Sequence, residues 1–142
     1  MFFIRISLSL VIILFLAACP SEQTQKSEPT SLQTASQAPL PTPPDLTTGS
    51  KVFISKGCIA CHAISSISEA KGVLGPKLDG IAVQAGQRVK GLNAEAYLRQ
   101  AIEKPDAYLV AGYQNLMTPN LRATMTDSEY EDLIAFLLSL KP

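Results

Sequence analysis

The pentapeptide Cys58-Ile59-Ala60-Cys61-His62 constrains this chain more than any other feature of its sequence. Two thiols three positions apart lie on one side of a helical turn, so both can reach the edge of one porphyrin ring. C-x-x-C-H is the attachment sequence of a c-type haem, and its histidine then faces the iron. His62 is the only histidine, so neither a second histidine ligand nor a second haem of this kind can come from this chain. We therefore expect one covalently attached haem c.

Two other uses of closely spaced cysteines do not fit the sequence. A structural zinc site needs four Cys or His ligands, and beyond the motif the chain offers only Cys19, at the end of an apolar leader. A thioredoxin-like redox pair is typical of a βαβ pattern, whereas the sequence around this motif is helical or irregular. Attachment of haem therefore remains the prediction for Cys58 and Cys61.

Residues 1–18 have the features of a secretory signal peptide. Arg5 precedes an apolar stretch that is followed by small residues, and this stretch is short for a membrane-spanning helix of about 20 residues. Leu16-Ala17-Ala18-Cys19 resembles the lipobox of bacterial lipoproteins, in which the signal is cut before a cysteine that carries lipid. An uncleaved single-span anchor and an ordinary secretory cut are the alternatives.

The number of cysteines favours a lipidated Cys19. Two thiols are assigned to haem and one to lipid, so none of the three is left free in an oxidising compartment. Two or more acyl chains anchor a protein stably, because each buried CH₂ contributes about 0.8 kcal/mol. We expect a lipid anchor in the cell membrane, with the haem on the extracytoplasmic side.

Residues 19–45 are predicted to be a flexible linker that begins at the lipidated cysteine. Residues 20–45 hold six of the ten prolines, separated by Ser, Thr and Gln with almost no large apolar side chains. Such a composition cannot bury enough apolar surface to fold. Residues 46–142 form a single domain near the size at which its own apolar core is only just sufficient, and we expect haem to complete that core.

Two helices of this domain are predicted from their ends, and no alternating strand pattern or hairpin turn is present. The first has Thr47 or Thr48 as its N-cap and ends before Gly57. The second follows Asn93 as its N-cap and ends before Pro105.

The third helix has the clearest start signal. Thr126-Asp127-Ser128-Glu129 has the spacing of a capping box, and large apolar residues follow it at helical spacing. Met125, directly before the box, occupies the position of a hydrophobic staple with Tyr130. The prediction is an all-α domain of three to five helices wrapped around one haem.

Four segments of residues 46–142 resemble, in order, those of the small monohaem bacterial cytochromes c with His/Met ligation. Gly49 and Phe53 lie where this family packs its first helix against its last, and the haem motif follows. Gly75-Pro76-Lys77-Leu78 matches the G-P-x-L loop, and residues 132–137 match the last helix. The resemblance implies the cytochrome c fold.

The same resemblance implies how the haem is held. Cys58 and Cys61 would carry it, and His62 would be one axial ligand of the iron. Pro76 would pack on the haem while its backbone carbonyl holds the ring of His62. An ordinary turn at Gly75-Pro76 is the alternative.

The second axial ligand is expected to be Met117. Its surroundings resemble the stretch that presents the axial methionine, although Thr118 separates it from Pro119 where the family has Met-Pro. Met125 is the other methionine after the leader, and its staple position gives it a structural role. No helical periodicity demands a buried thioether at Met117, so ligation explains it better.

These assignments predict a one-electron carrier rather than an enzyme. His and Met in both axial positions leave no site for a substrate and raise the reduction potential. The expected partners are a quinol-oxidising complex and a terminal oxidase or reaction centre, with no nucleic acid and a monomeric state. A fixed haem subunit of a larger respiratory complex, and a haem enzyme or gas sensor with an open sixth position, are the alternatives.

Charge does not identify the partner. Residues 46–142 contain ten basic and nine acidic side chains, so long-range electrostatic steering should be modest. Lys56, Lys71 and Lys77 flank the haem segments, where they would form either a local docking patch or ordinary solvated surface.

Overall fold

The computed structural model describes residues 42–142, so the expected signal peptide 1–18, Cys19 and most of the linker lie outside the described residues. The four α-helices are α1 (Leu46–Ser55), α2 (Ile81–Arg88), α3 (Ala94–Glu103) and α4 (Asp127–Ser139), and two 3₁₀ turns span Cys58–Ala60 and Leu121–Thr124. Pairing of extended backbone within residues 42–142 is limited to one antiparallel bridge between Ala63 and Lys71. The described domain is therefore all-α, as predicted.

Helices α1 and α4 pack closely against each other. The rings of Phe53 and Phe136 are buried, with their centroids 6.0 Å apart. Gly49 lies at the closest approach, since a Cβ atom there would be 2.1 Å from the backbone oxygen of Asp132. The Asp132 carboxylate also accepts a hydrogen bond of 2.7 Å from the backbone N–H of Asp45. The structure thus places Gly49 and Phe53 at the contact that the family resemblance implied.

The start of α1 differs from the prediction. Its N-cap is Asp45, whose carboxylate accepts hydrogen bonds from the Thr47 N–H at 2.8 Å and the Thr48 hydroxyl at 2.9 Å. The two threonines are therefore donors to the cap rather than caps themselves. The predicted end of the helix is confirmed, because Gly57 follows it with a positive φ of 77°.

The predicted starts of α3 and α4 are confirmed. Asn93 caps α3, its side-chain oxygen accepting from the Ala96 N–H at 2.8 Å. At α4 the Glu129 N–H donates to the Thr126 hydroxyl at 3.2 Å, and the Thr126 N–H donates to the Glu129 carboxylate at 2.8 Å. This reciprocal bonding is a capping box. The hydrogen bond from the Thr126 N–H, and next a hydrogen bond from the Lys56 side chain, lower the pKa of the Glu129 carboxyl.

Helix α2 has no predicted counterpart. Its N-cap is Gly80, which supplies no side-chain cap, and its buried residues are only Ile81 and Ala85. Among residues 42–142 no helix combines the length and the apolar character needed to cross a membrane.

Replacing Gly49 with Ala should destabilise the domain, although Ala normally stabilises a helix interior relative to Gly by about 0.5–1 kcal/mol. The added methyl group would collide with the backbone of α4, and overpacking of this kind costs about 1–3 kcal/mol. Denaturant unfolding of the mature protein measures the change. Lys51→Ala, at an exposed position of the same helix, is the control, and a Gly49→Ala variant as stable as this control would contradict the close crossing.

Candidate functional site

The predicted attachment motif folds as one tight turn after α1. The N–H groups of Cys61 and His62 both donate to the carbonyl of Cys58, at 3.2 and 2.9 Å. Cys58 and Cys61 are partly buried and form no disulfide. Before haem is attached, burial and secondarily the charge of Cys61 raise the pKa of the Cys58 thiol to about 11, so the unattached group is neutral at physiological pH.

His62 is held by the loop that follows the motif. Its Nδ1 lies 2.8 Å from the carbonyl oxygen of Pro76. A carbonyl can only accept, so this contact fixes the tautomer with the proton on Nδ1 and leaves the Nε2 lone pair for a metal. Burial is the main cause that lowers the pKa of His62, which favours the neutral ring that metals bind.

The loop approaches the motif so closely that it needs a glycine. The Gly75 N–H donates to the Cys61 carbonyl at 2.9 Å, and the Leu78 N–H donates to the Ala63 carbonyl at 2.9 Å. A Cβ atom on Gly75 would lie 2.5 Å from Cε1 of His62. The imidazole ring is therefore packed against bare backbone, beside the carbonyl that orients it.

These groups face a large pocket to which every α-helix contributes. It encloses about 1190 Å³ of space, a figure that includes solvent on its open side. The predicted haem-site residues that line it are Cys58, Cys61, His62, Pro76 and Met117, and the apolar wall includes Phe53, Ile81, Leu98 and Leu133.

The two methionines of the domain lie in different surroundings. Met117 is partly buried and lines the pocket. Met125 is 7% exposed and belongs to the hydrophobic core directly before α4. Of these two thioethers, only that of Met117 shares the pocket with His62.

The pocket wall also holds a cation that the sequence analysis missed. Arg88, in the last turn of α2, donates to the Tyr97 hydroxyl at 3.1 Å and to the Gln84 side-chain oxygen at 3.4 Å. Lys56 also lines the pocket but is paired with Glu129 at 3.1 Å. Within residues 42–142 no carboxylate forms an ion pair with Arg88. A basic residue in the last turn of a helix could have pointed to Arg88. The sequence did not predict α2, so this signal was not visible.

This set of residues fits a covalently bound haem c. Two thiols in one turn can both bond to one ring edge, and an imidazole with its Nδ1 fixed can present Nε2 to iron. The surrounding wall is predominantly apolar, and Arg88 supplies a positive charge that suits the carboxylates of a porphyrin.

Gly75→Ala should displace the imidazole of His62, because the new methyl group would collide with the ring. We expect a loss of stability of about 1–3 kcal/mol together with an altered absorption spectrum of the mature protein. Thermal unfolding and spectroscopy check this result. The control is Val73→Ala, at a neighbouring loop position that is 82% exposed, and equal behaviour of both variants would contradict the close contact.

Residues 46–141 match the family model of cytochrome c. One similar solved structure is described as the crystal structure of SoxXA from P. pantotrophus. It shares 22% identity with this chain at a TM-score of 0.47, and the match covers 72% of this chain and 85% of that one. No curated protein matches the sequence. The family match spans nearly all of the described domain, so the chain belongs to the cytochrome c family and binds a covalently attached haem c through its C-x-x-C-H motif.

Proposed function

We propose that this protein is a one-electron carrier on the outer face of the cytoplasmic membrane or in the periplasm. Membership of the cytochrome c family implies electron transfer. When bound, haem c supplies an iron that takes up and releases a single electron. The observation that carries the proposal is that His62 and Met117 line the same pocket as the two attachment cysteines.

In this proposal His62 is the first axial ligand of the iron. The hydrogen bond between its Nδ1 and the Pro76 carbonyl supports the role, because metal-bound histidines usually donate their second ring nitrogen to such an acceptor. That bond also makes the imidazole a stronger electron donor to a metal. Pro76 then contributes through its backbone, as the family resemblance implied.

Met117 is the second axial ligand in this proposal. Its partly buried thioether lines the pocket, whereas Met125 packs in the core. A His/Met pair raises the reduction potential and occupies both axial positions. A carrier without enzymatic activity is therefore favoured over an enzyme or sensor with an open sixth position.

The proposed location and partners rest on the sequence. Leu16-Ala17-Ala18-Cys19 supports a lipid anchor in the membrane, followed by a linker that lets a monomeric domain move. We propose that electrons pass from a quinol-oxidising complex to a terminal oxidase or reaction centre. Recovery of the protein bound within a larger complex after mild detergent extraction would instead favour the fixed-subunit alternative.

The lysines near the haem segments have partners of their own. Lys56 pairs with Glu129 and donates to the Thr124 carbonyl at 2.8 Å. Lys77 pairs with Asp79 at 3.1 Å. Two of the three lysines considered for a docking patch are therefore engaged within the domain, which favours ordinary surface roles for them.

Met117→Ala should remove a thioether ligand from the iron. We expect loss of the weak red absorption band of ferric methionine ligation, rapid cyanide binding, and a lower potential, within the roughly 0.8 V range that axial ligands control. The matched control is Met125→Leu, which should preserve spectrum and potential, because volume-conserving core swaps usually cost less than about 1.5 kcal/mol.

Loss of the red band in the Met125 variant and its retention in the Met117 variant would show that the ligand assignment is reversed. If both variants keep the band of the parent protein, neither methionine is the ligand. The carrier proposal would then yield to a haem enzyme or sensor.

Cys19→Ser should abolish lipidation while leaving the haem spectrum unchanged. We expect either a lipid-free haem protein in the soluble fraction or a precursor with its leader uncut, because the lipid attachment site is gone. Fractionation and mass spectrometry of the N-terminal peptide check this. An unmodified Cys19 in the membrane-bound parent protein would show that the lipid anchor is wrong.

A further inference from the structure

The segment that carries Met117 makes few hydrogen bonds to the rest of the protein. Hydrogen bonds of the backbone N–H groups in residues 105–119 reach only nearby carbonyls: Ala107 to Lys104 at 2.9 Å, Tyr113 to Val110 at 3.0 Å, and Leu116 to Gln114 at 2.9 Å. Most of these residues are exposed. A segment with so few non-local bonds should open more readily than the helices around it.

Near its beginning, the segment is held by an aromatic contact. The ring of Tyr108 packs edge-on against Tyr97 of α3, with the centroids 5.9 Å apart. Met117 lies nine residues beyond Tyr108, so this contact restrains its position only weakly. Within the polypeptide, the nearest further restraint on Met117 comes from the residues that follow it.

A short, stiff connection joins Met117 to a fixed 3₁₀ turn. Only Thr118, Pro119 and Asn120 stand between Met117 and the turn Leu121–Thr124. The proline ring fixes one backbone dihedral angle of this connection. The position of the turn thus largely determines where the Met117 side chain can lie.

Arg122 holds this turn against the start of α4. Its guanidinium lies 4.4 Å from the ring centroid of Tyr130, donates to the Met125 carbonyl at 3.0 Å and pairs with Asp127. The Arg122 side chain is 29% exposed whereas that of Asp127 is 95% exposed, so the ion pair faces water while the aromatic and backbone contacts are partly shielded. One side chain combines an aromatic, a backbone and an ionic contact at the base of the Met117 connection.

We infer that Arg122 is a positioning residue that keeps the Met117 segment closed over the haem pocket. The link to the iron rests on the proposed function, in which Met117 is the axial ligand. Loss of the Arg122 contacts would loosen the 3₁₀ turn, although the bond from Lys56 to the Thr124 carbonyl would remain, and the three-residue connection would transmit that looseness to Met117. The thioether would then leave the iron more often, without any change in the ligands themselves.

Arg99 provides a matched comparison on the same aromatic ring. Its guanidinium lies 5.3 Å from the Tyr130 centroid and pairs with Glu95 at 2.8 Å and Glu131 at 2.5 Å. These partners belong to α3 and α4, and none lies in the Met117 segment. Removing Arg99 therefore removes an arginine–tyrosine contact and ion pairs while leaving the 3₁₀ turn attached.

The test compares Arg122→Gln with Arg99→Gln in the mature, haem-loaded protein. Both variants should lose some thermal stability. Only Arg122→Gln should bind cyanide several-fold faster in the ferric state and show several-fold faster amide hydrogen exchange in a peptide that covers residues 113–118. Arg122→Lys, which keeps the charge but loses the planar group that stacks on Tyr130, replaces Arg122→Gln if that variant does not mature.

Equal acceleration in the Arg99 and Arg122 variants, or none in either, would overturn the inference. Failure of the inference about Arg122 can be distinguished from failure of the proposed function. If Met117→Ala keeps the red band, Met117 is not the ligand, and hydrogen exchange alone then decides whether Arg122 holds the segment closed.

Discussion

The four helices direct much of their apolar surface toward one shared pocket, and the rest of the structure depends on that arrangement. Side chains such as Phe53, Leu98 and Leu133 contribute both to the core and to the pocket wall. In a domain of about 100 residues the apolar core is only just sufficient by itself. A covalently attached haem therefore serves as part of the core, and the close crossing of α1 and α4 at Gly49 holds the first and last helices of the described domain together beside it.

The helices could be predicted where a local cap marks their start. Asn93 and Thr126 use side chains three residues or fewer from their partners, so the pattern is visible in the sequence. The true start of α1 was missed because Asp45 competes with two nearby threonines, and its backbone bond to Asp132 joins residues 87 positions apart. Helix α2 begins at a glycine without a side-chain cap, so it is formed by tertiary packing that no local pattern reveals.

The part of the haem site that consists of consecutive residues could be predicted from the sequence. The turn from Cys58 to His62 is local, and the family resemblance placed Pro76 beside the His62 ring, where a hydrogen bond of 2.8 Å is found. Arg88 was not predicted, because its place in the pocket wall follows from the packing of α2 against α3 through Tyr97. The different surroundings of Met117 and Met125 likewise depend on the path of the chain, although the staple position of Met125 already indicated the core.

The charges of the domain act differently inside and outside the pocket. Exposed ion pairs such as Arg99 with Glu95 contribute little stability, about 0–1 kcal/mol each. Their main effect is to fix which groups face one another. In the predominantly apolar pocket wall the interaction between charges is less screened, and Arg88 is among the causes that lower the pKa of His62. Since Arg88 has no ion-pair partner among residues 42–142, its charge is available to the carboxylates of a bound haem in this pocket.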